Sequence, residues 1–138
     1  LHEAANKISI EMEVDQRVDF YSDLFRVRTI VTNLISNAFK YSDLMKEQPI
    51  LHIQVSVTGN ECVVRVADTG IGIEEQYQKR IFDRFLRATS SSYGNGIGLF
   101  IVKDTVQRLK GAIEVTSEVG IGTTFSVTIP NQSYRTVL

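Results

Sequence analysis

Two amides and an ammonium recur along one predicted helix at spacings that place them on the same side. Asn33, Asn37 and Lys40 are four and three residues apart, so a helix aligns them in one stripe, the polar stripe. An Asn carbonyl oxygen suits a hard cation such as Mg²⁺, and a Lys ammonium suits phosphate oxygens. The polar stripe therefore indicates a cradle for a triphosphate and its metal, although a solvated helix face accounts for the same residues.

A second group lies where a predicted strand gives way to a glycine-rich segment. Asp68 ends an alternating apolar run and is followed at once by Thr69, Gly70, Ile71 and Gly72. A carboxylate at a strand end accepts hydrogen bonds, and the glycines let the main chain turn tightly against a flat ligand. An adenine exocyclic amine is a donor that such a carboxylate can bind. A structural turn rich in Asp and Gly is the alternative interpretation.

Three glycines stand immediately before another predicted helix. Gly94, Gly96 and Gly98 alternate with Asn95 and Ile97. Unpaired N–H groups and the helix dipole at such a start favour an anion, and phosphate is the natural ligand. The spacing is neither a Walker A sequence nor the G-x-G-x-x-G of a Rossmann fold.

A polar segment with basic and aromatic residues precedes these glycines. Arg84 and Arg87 lie among the apolar residues Ile81, Phe82 and Phe85. An arginine there can reach a phosphate while the phenylalanines anchor a movable lid or contact a partner domain. A short helix that docks on the core and exposes its basic side accounts for the same pattern.

The elements that must position these residues follow from hydrophobic spacing. Apolar residues at every second position in 8–14 predict a half-buried strand, and a short second strand is predicted at 18–21. Ser22 is the predicted N-cap of a helix that carries the polar stripe from Leu24 onward.

Two strand hairpins bracket a second helix downstream. The first begins at Pro49 and directs Asp68 inward on its returning strand, and the helix begins at Gly98 and ends at Gly111, the usual place for a terminating glycine. The second hairpin turns through residues 118–122. Hairpins in place of repeated strand–helix–strand units predict helices packed on one face of a mixed sheet.

Composition limits the classes of function. The chain has 138 residues, 43% of them hydrophobic, and a net charge of -1, which fits one domain over residues 1–138 and gives no electrostatic basis for binding nucleic acid or an anionic membrane. The only cysteine, Cys62, has no thiol partner and no metal-ligand spacing. Without a signal peptide or a long apolar run, a cytoplasmic segment is expected, and the start at Leu1 suggests a fragment of a longer multidomain protein.

Four segments together resemble the N, G1, F and G2 boxes of sensor histidine kinases. They are residues 33–41, 68–72, 81–85 and 94–99, in the family's order, and the likeness extends through 117–130. The family belongs to a wider group that includes gyrase, Hsp90 and MutL. The resemblance implies their fold: a two-layer α/β (α+β) sandwich of the Bergerat type, with a mixed, mostly antiparallel sheet backed by three helices and a mobile ATP lid.

The resemblance also implies ligands and roles. The polar stripe would be the catalytic group, with Asn37 coordinating Mg²⁺ and Lys40 contacting phosphate. Asp68 would bind the adenine amine with help from Thr124, and Arg84 or Arg87 would reach the phosphates. The residues assigned to ATP in this way are Tyr41, Asp68, Gly70, Gly72, Arg84, Arg87, Gly94, Gly96, Gly98, Leu99 and Thr124.

One position separates this chain from the ATPases of the wider group. They carry a glutamate one helical turn before the Mg-binding asparagine, where this chain has Asn33. An amide cannot take a proton from water, whereas a neutral imidazole already offers a lone pair to a phosphoryl group. Asn33 therefore favours a kinase over a fast ATPase.

The resemblance implies a protein-histidine kinase whose acceptor lies outside this segment. His2 directly precedes a strand and His52 lies on the polar side of one, so neither is expected to be the acceptor. The implied partners are the dimerisation/histidine phosphotransfer domain of the same protein and the receiver domain of a response regulator. The parent protein is expected to be a homodimer. Membrane anchoring of the parent is left open, but this domain is expected to make no direct contact with a membrane. A non-catalytic nucleotide-binding module and a serine kinase of the anti-sigma type are the alternatives.

Overall fold

The computed structural model of the chain describes residues 8–42, 46–84 and 97–132. Five strands and three helices follow one another along these residues. In chain order they are β1 (Ser9–Gln16), α1 (Leu24–Lys40), β2 (Ile50–Val57), β3 (Glu61–Asp68), α2 (Glu75–Gln78), α3 (Gly98–Arg108), β4 (Ala112–Glu118) and β5 (Gly122–Pro130).

The strands form one sheet in the order β1-β2-β3-β5-β4. β1 pairs with β2 in parallel, and every other pair is antiparallel. The predicted mixed, mostly antiparallel sheet is therefore confirmed. Its register sets the site, because Leu51 of β2 and Thr123 of β5 lie on either side of Asp68 at the end of β3.

The helices cover one face of the sheet, and the core lies between the two layers. α1 packs on β3 and on α3, and α3 packs on β4. Inward positions of the central strands alternate with polar ones, as a sheet with one buried face requires. The most deeply buried large side chains are Phe125, Ile30, Leu34, Leu51, Ile129, Val66, Val102, Val106 and Val127.

β1 is a strand as predicted, but it is not half-buried. Ile10, Met12 and Val14 are 55%, 63% and 58% exposed. They pair with the inward-facing positions of β2, yet β1 is an edge strand and the helices lie over β3 and β4. Alternation thus identified the strand correctly, whereas burial depended on how far the helix layer reaches.

Two predictions before α1 were wrong. Residues 18–21 form no strand, and Tyr21 instead bonds two residues that follow β5: its N–H donates to Asn131 Oδ1 at 3.0 Å, and its carbonyl accepts from the Gln132 N–H at 2.9 Å. The N-cap is Asp23 and not Ser22, since Asp23 Oδ1 accepts from the Arg26 N–H at 3.1 Å.

The end of α3 also differs from its prediction. Lys110, with φ at 60°, takes the left-handed position that was expected of Gly111. The Gly111 N–H closes the turn on the Val106 carbonyl at 2.9 Å. Within the described residues no helix has the length and apolar content needed to span a membrane.

Candidate functional site

α1 serves both the core and the site. Ile30, Leu34 and Ala38 are buried against the sheet, which leaves Asn33 and Asn37 half-buried on another side of the helix. The Asn33 amide donates to the Thr29 carbonyl at 2.8 Å, which fixes its rotamer.

Asn33 of the polar stripe lies against the start of α3. A Cβ built at Gly98 would lie 3.4 Å from Asn33 Oδ1, so the first residue of α3 stands against this side chain. The side chains of Asn37 and Lys40 make no hydrogen bond with any of the described residues. The structure therefore brings the Asn33 side chain and the N-terminus of a helix to one place, where N–H groups and the helix dipole favour an anion.

The Asp68 carboxyl is held by main-chain N–H groups from two parts of the chain. Its Oδ1 accepts from the Gly70 N–H at 2.8 Å and from the Thr123 N–H at 3.3 Å. Burial raises the pKa of the Asp68 carboxyl above its usual value of 3.8, against the opposing effect of these two hydrogen bonds and of the Lys46 charge. Both of these hydrogen bonds use Oδ1, so Oδ2 accepts no hydrogen bond from the described residues.

The loop that follows Asp68, residues 69–72 (the glycine loop), is fastened by its main chain. The Ile71 N–H donates to the Tyr41 carbonyl at 3.0 Å, and the Ile71 carbonyl accepts from the Gly120 N–H at 2.9 Å. A Cβ at Gly70 would overlap the Tyr41 carbonyl oxygen, so only glycine allows this approach. The loop is thereby held between the end of α1 and the β4–β5 turn (residues 119–121).

Gly72, also predicted at this site, has φ at 77°, and a Cβ there would overlap the Glu118 carbonyl oxygen. Tyr41 contributes its main chain to the glycine loop and follows α1 as its C-cap.

Thr124, predicted to help bind adenine, lies on the outer side of the sheet. It pairs with Ala67 and Thr116 on the outer side of the sheet, whereas Thr123 pairs with Asp68 on the inner side. Thr123 is 5% exposed, and its hydroxyl lies 2.7 Å from the Ser117 hydroxyl. The sequence contained the signal, because inward positions alternate along β5 from Phe125 and Thr123 is two residues before it.

Lys46 also belongs to the site and was missed. Its Nζ donates to the Gly70 carbonyl at 3.3 Å and to the Ile121 carbonyl at 3.1 Å. It stands in no motif, and the second contact spans 75 positions of sequence, so no local pattern could have identified it.

The aromatic segment before residue 85 packs on α3 and β5. Ile81 is buried, and the Phe82 ring meets the Phe125 ring edge-on with centroids 6.3 Å apart. The Lys103 ammonium lies 5.2 Å from the centre of the Phe82 ring, and the Arg84 guanidinium lies 4.7 Å from that of Phe100. The structure thus places Arg84 against α3.

The other residues predicted for the phosphates divide into two groups. Leu99 packs against the core from the first turn of α3, beside Gly98. Arg87, Gly94 and Gly96 lie outside the described residues.

Asp68→Asn is expected to leave the domain at least as stable as wild type at pH 7. Because burial raises the folded-state pKa, the folded protein holds a proton that the unfolded chain has already lost, so the free energy of unfolding falls as pH rises from about 3.8 through the folded pKa. An Asn keeps the Oδ1 acceptor without that cost. Urea unfolding at pH 4 and pH 7 tests this, and the variant's advantage should grow toward pH 7.

The matched control is Asp15→Asn on exposed β1, which should change the free energy of unfolding by less than about 0.5 kcal/mol at either pH. A variant at Asp68 that is less stable than wild type by the same amount at both pH values would contradict this account.

Comparisons with known proteins agree with this geometry. The family described as "Histidine kinase-, DNA gyrase B-, and HSP90-like ATPase" matches residues 22–133. The autoinducer 2 sensor kinase/phosphatase LuxQ of Vibrio harveyi is 35% identical over 96% of this chain and 16% of its own length. The circadian input-output histidine kinase CikA of Synechococcus elongatus is 36% identical over 92% of this chain and 17% of its own length. The chain therefore spans about a sixth of the length of these relatives.

Solved structures give the same result. The full-length ShkA structure in complex with AMPPNP superposes with a TM-score of 0.76 at 30% identity, over 94% of this chain and 26% of that one. The mycobacterial sensor histidine kinase MprB gives a TM-score of 0.71 at 27% identity, over 88% and 84%. The chain therefore belongs to the histidine kinase-, DNA gyrase B- and HSP90-like ATPase family, as the ATP-binding catalytic domain of a sensor histidine kinase.

Proposed function

We propose that this domain binds Mg-ATP and transfers the γ-phosphate to a histidine on the dimerisation/histidine phosphotransfer domain of the same protein. The observation that carries the proposal is the Asp68 carboxylate, half-buried at the end of β3 with one oxygen used by main-chain N–H groups and the other left to a ligand. An ATP-binding domain that selects adenine needs such a fixed acceptor for the adenine amine.

Base recognition rests on Asp68 and the glycine loop. Ionised Asp68 accepts a hydrogen bond from the exocyclic amine through Oδ2, and such a charge-assisted bond is strong where water is excluded. Thr123 takes the supporting place that the sequence had suggested for Thr124, because Thr123 is on the inner face next to Asp68.

Phosphate and metal binding rest on the polar stripe and the start of α3. Among the described residues no group of three or more His, Cys, Asp or Glu side chains could hold a metal ion, so the donor set fits a Mg²⁺ bound mainly by phosphates with one amide oxygen from Asn37. Bound there, Mg²⁺ would neutralise phosphate charge. Lys40 and the N–H groups around Gly98 hold the phosphate oxygens, with Arg84, Arg87, Gly94 and Gly96 as further proposed contacts.

Asn33 affects which reaction is favoured, because its amide cannot act as a general base. It lies beside Gly98 with its amide nitrogen bonded to the Thr29 carbonyl, and an amide takes no proton from an attacking water. A neutral imidazole accepts the phosphoryl group through its own lone pair, so the protein's task is to position the phosphate and balance its charge. This favours transfer to histidine over hydrolysis.

The relatives support a wider assignment. LuxQ and CikA are described as a sensor kinase/phosphatase and a histidine kinase, and both are several times longer than this chain. On that basis we assign this domain to a homodimeric, multidomain parent in a two-component system. There it acts in the cytoplasm, and the phosphohistidine of the phosphotransfer domain passes the phosphoryl group to a receiver domain.

Calorimetry of Mg-ATP binding tests the two key side chains. Asp68→Asn is expected to weaken binding about tenfold or more at pH 7, because a donor replaces part of an ionic acceptor facing the amine. Asn37→Ala is expected to weaken binding in Mg²⁺ but to change it little when Mg²⁺ is chelated. Asp15→Asn is the control. Equal Mg-ATP affinity in all four proteins would rule out the assigned site.

A radiolabel experiment tests the reaction itself. The domain is mixed with the phosphotransfer domain of the same protein and γ-labelled ATP, and acid-labile phosphohistidine is the expected product, reduced in the Asn37→Ala variant. Acid-stable phosphoserine would instead indicate a serine kinase. Bound ATP without any transferred label would indicate a non-catalytic module.

A further inference from the structure

We infer that Lys46 is a positioning residue of the base site: its ammonium ties the glycine loop to the β4–β5 turn and so holds Asp68 in the geometry that selects adenine. The inference deepens the proposed function and rests on it. No motif contains Lys46, and the evidence for its role is the set of contacts that it makes.

Lys46 joins two walls that come from distant parts of the chain. Its Nζ bonds the Gly70 carbonyl, two residues after Asp68, and the Ile121 carbonyl, two residues before Thr123. Asp68 Oδ1 accepts from the main-chain N–H groups of Gly70 and Thr123. The Lys46 ammonium therefore links, through their carbonyl groups, the same two segments whose N–H groups bind the Asp68 carboxylate.

Two further links between these walls carry no charge, one between main-chain groups and one to a side-chain hydroxyl. The Gly120 N–H donates to the Ile71 carbonyl at 2.9 Å, and the Ile73 N–H donates to the Ser117 hydroxyl at 2.8 Å. Lys46 adds two charge-assisted bonds to carbonyls, which are stronger than neutral ones. One of its bonds is to Gly70 itself, whose N–H donates to Asp68.

Lys46 also affects the ionisation of Asp68 through its positive charge. The positions that β2, β5 and the end of α1 bring to Asp68 are Leu51, Thr123, Ala38 and Ser42, none of which titrates. Within the described residues, Lys46 is the charged group whose field reaches the carboxyl, and it lowers a pKa that burial raises. It therefore helps to keep Asp68 ionised, which is the form that accepts a hydrogen bond from an amine.

Loss of this ammonium has two consequences that a purely structural residue would not produce together. The pH below which Mg-ATP binding declines should move upward, because Asp68 protonates more readily. The preference for ATP over GTP should fall, because a displaced or protonated carboxyl no longer favours an amine over a carbonyl at the same position of the purine.

The experiment compares Lys46→Met, Lys46→Arg and Arg65→Met with wild type. Arg65→Met is the matched control, since it removes one positive charge from the exposed outer side of β3. Mg-ATP and Mg-GTP affinities are measured by calorimetry from pH 5 to pH 8, at temperatures where circular dichroism shows each protein folded. Titration of the nucleotide itself is common to all four proteins and cancels in the comparison.

We expect Lys46→Met to weaken Mg-ATP binding about tenfold at pH 7, to move the acid decline to higher pH and to lower the preference for ATP. Lys46→Arg should restore all three, and Arg65→Met should match wild type. An unchanged pH profile and base preference in Lys46→Met, or no recovery in Lys46→Arg, would overturn the inference, even if the melting temperature falls. Failure of wild type to bind Mg-ATP would instead overturn the proposed function.

Discussion

The half-buried carboxylate of Asp68 is the group on which the rest of this domain depends. A carboxylate is costly to bury, and here two main-chain N–H groups, from Gly70 and Thr123, and the nearby ammonium of Lys46 offset part of that cost. Each of these partners comes from a different element, so the turn after β3, the start of β5 and the segment after α1 must all converge on one point. The glycines of that region are there because the chains approach too closely for a Cβ.

The two-layer architecture explains how one helix can serve stability and chemistry together. α1 buries Ile30, Leu34 and Ala38 against the sheet, and the same helical period sets Asn33 against the start of α3 and leaves Asn37 half-buried one turn further along. The rigid core therefore fixes the spacing between the amide groups on α1 and the carboxylate on β3. Such pre-organisation matters for phosphoryl transfer, where the protein contributes mainly position and charge.

Features with a local signal were predictable from the sequence, and features set by long-range packing were not. Periodicity identified the two long helices and the strands, and the box segments identified the family. The exposure of Met12 was not predictable, because it depends on where the helix layer ends. Thr123 could have been found from the alternation of β5, but motif matching favoured its neighbour Thr124. Lys46 had no signal at all, because its partner at Ile121 is 75 residues away.

A crystal structure of this domain with Mg²⁺ and a non-hydrolysable ATP analogue tests the central claim most directly. The account predicts the adenine amine within hydrogen-bond distance of Asp68 Oδ2, and the triphosphate between the polar stripe and the N-terminus of α3 with Asn37 on the metal. An analogue bound elsewhere, or a crevice at Asp68 filled by the protein's own side chains, would contradict it.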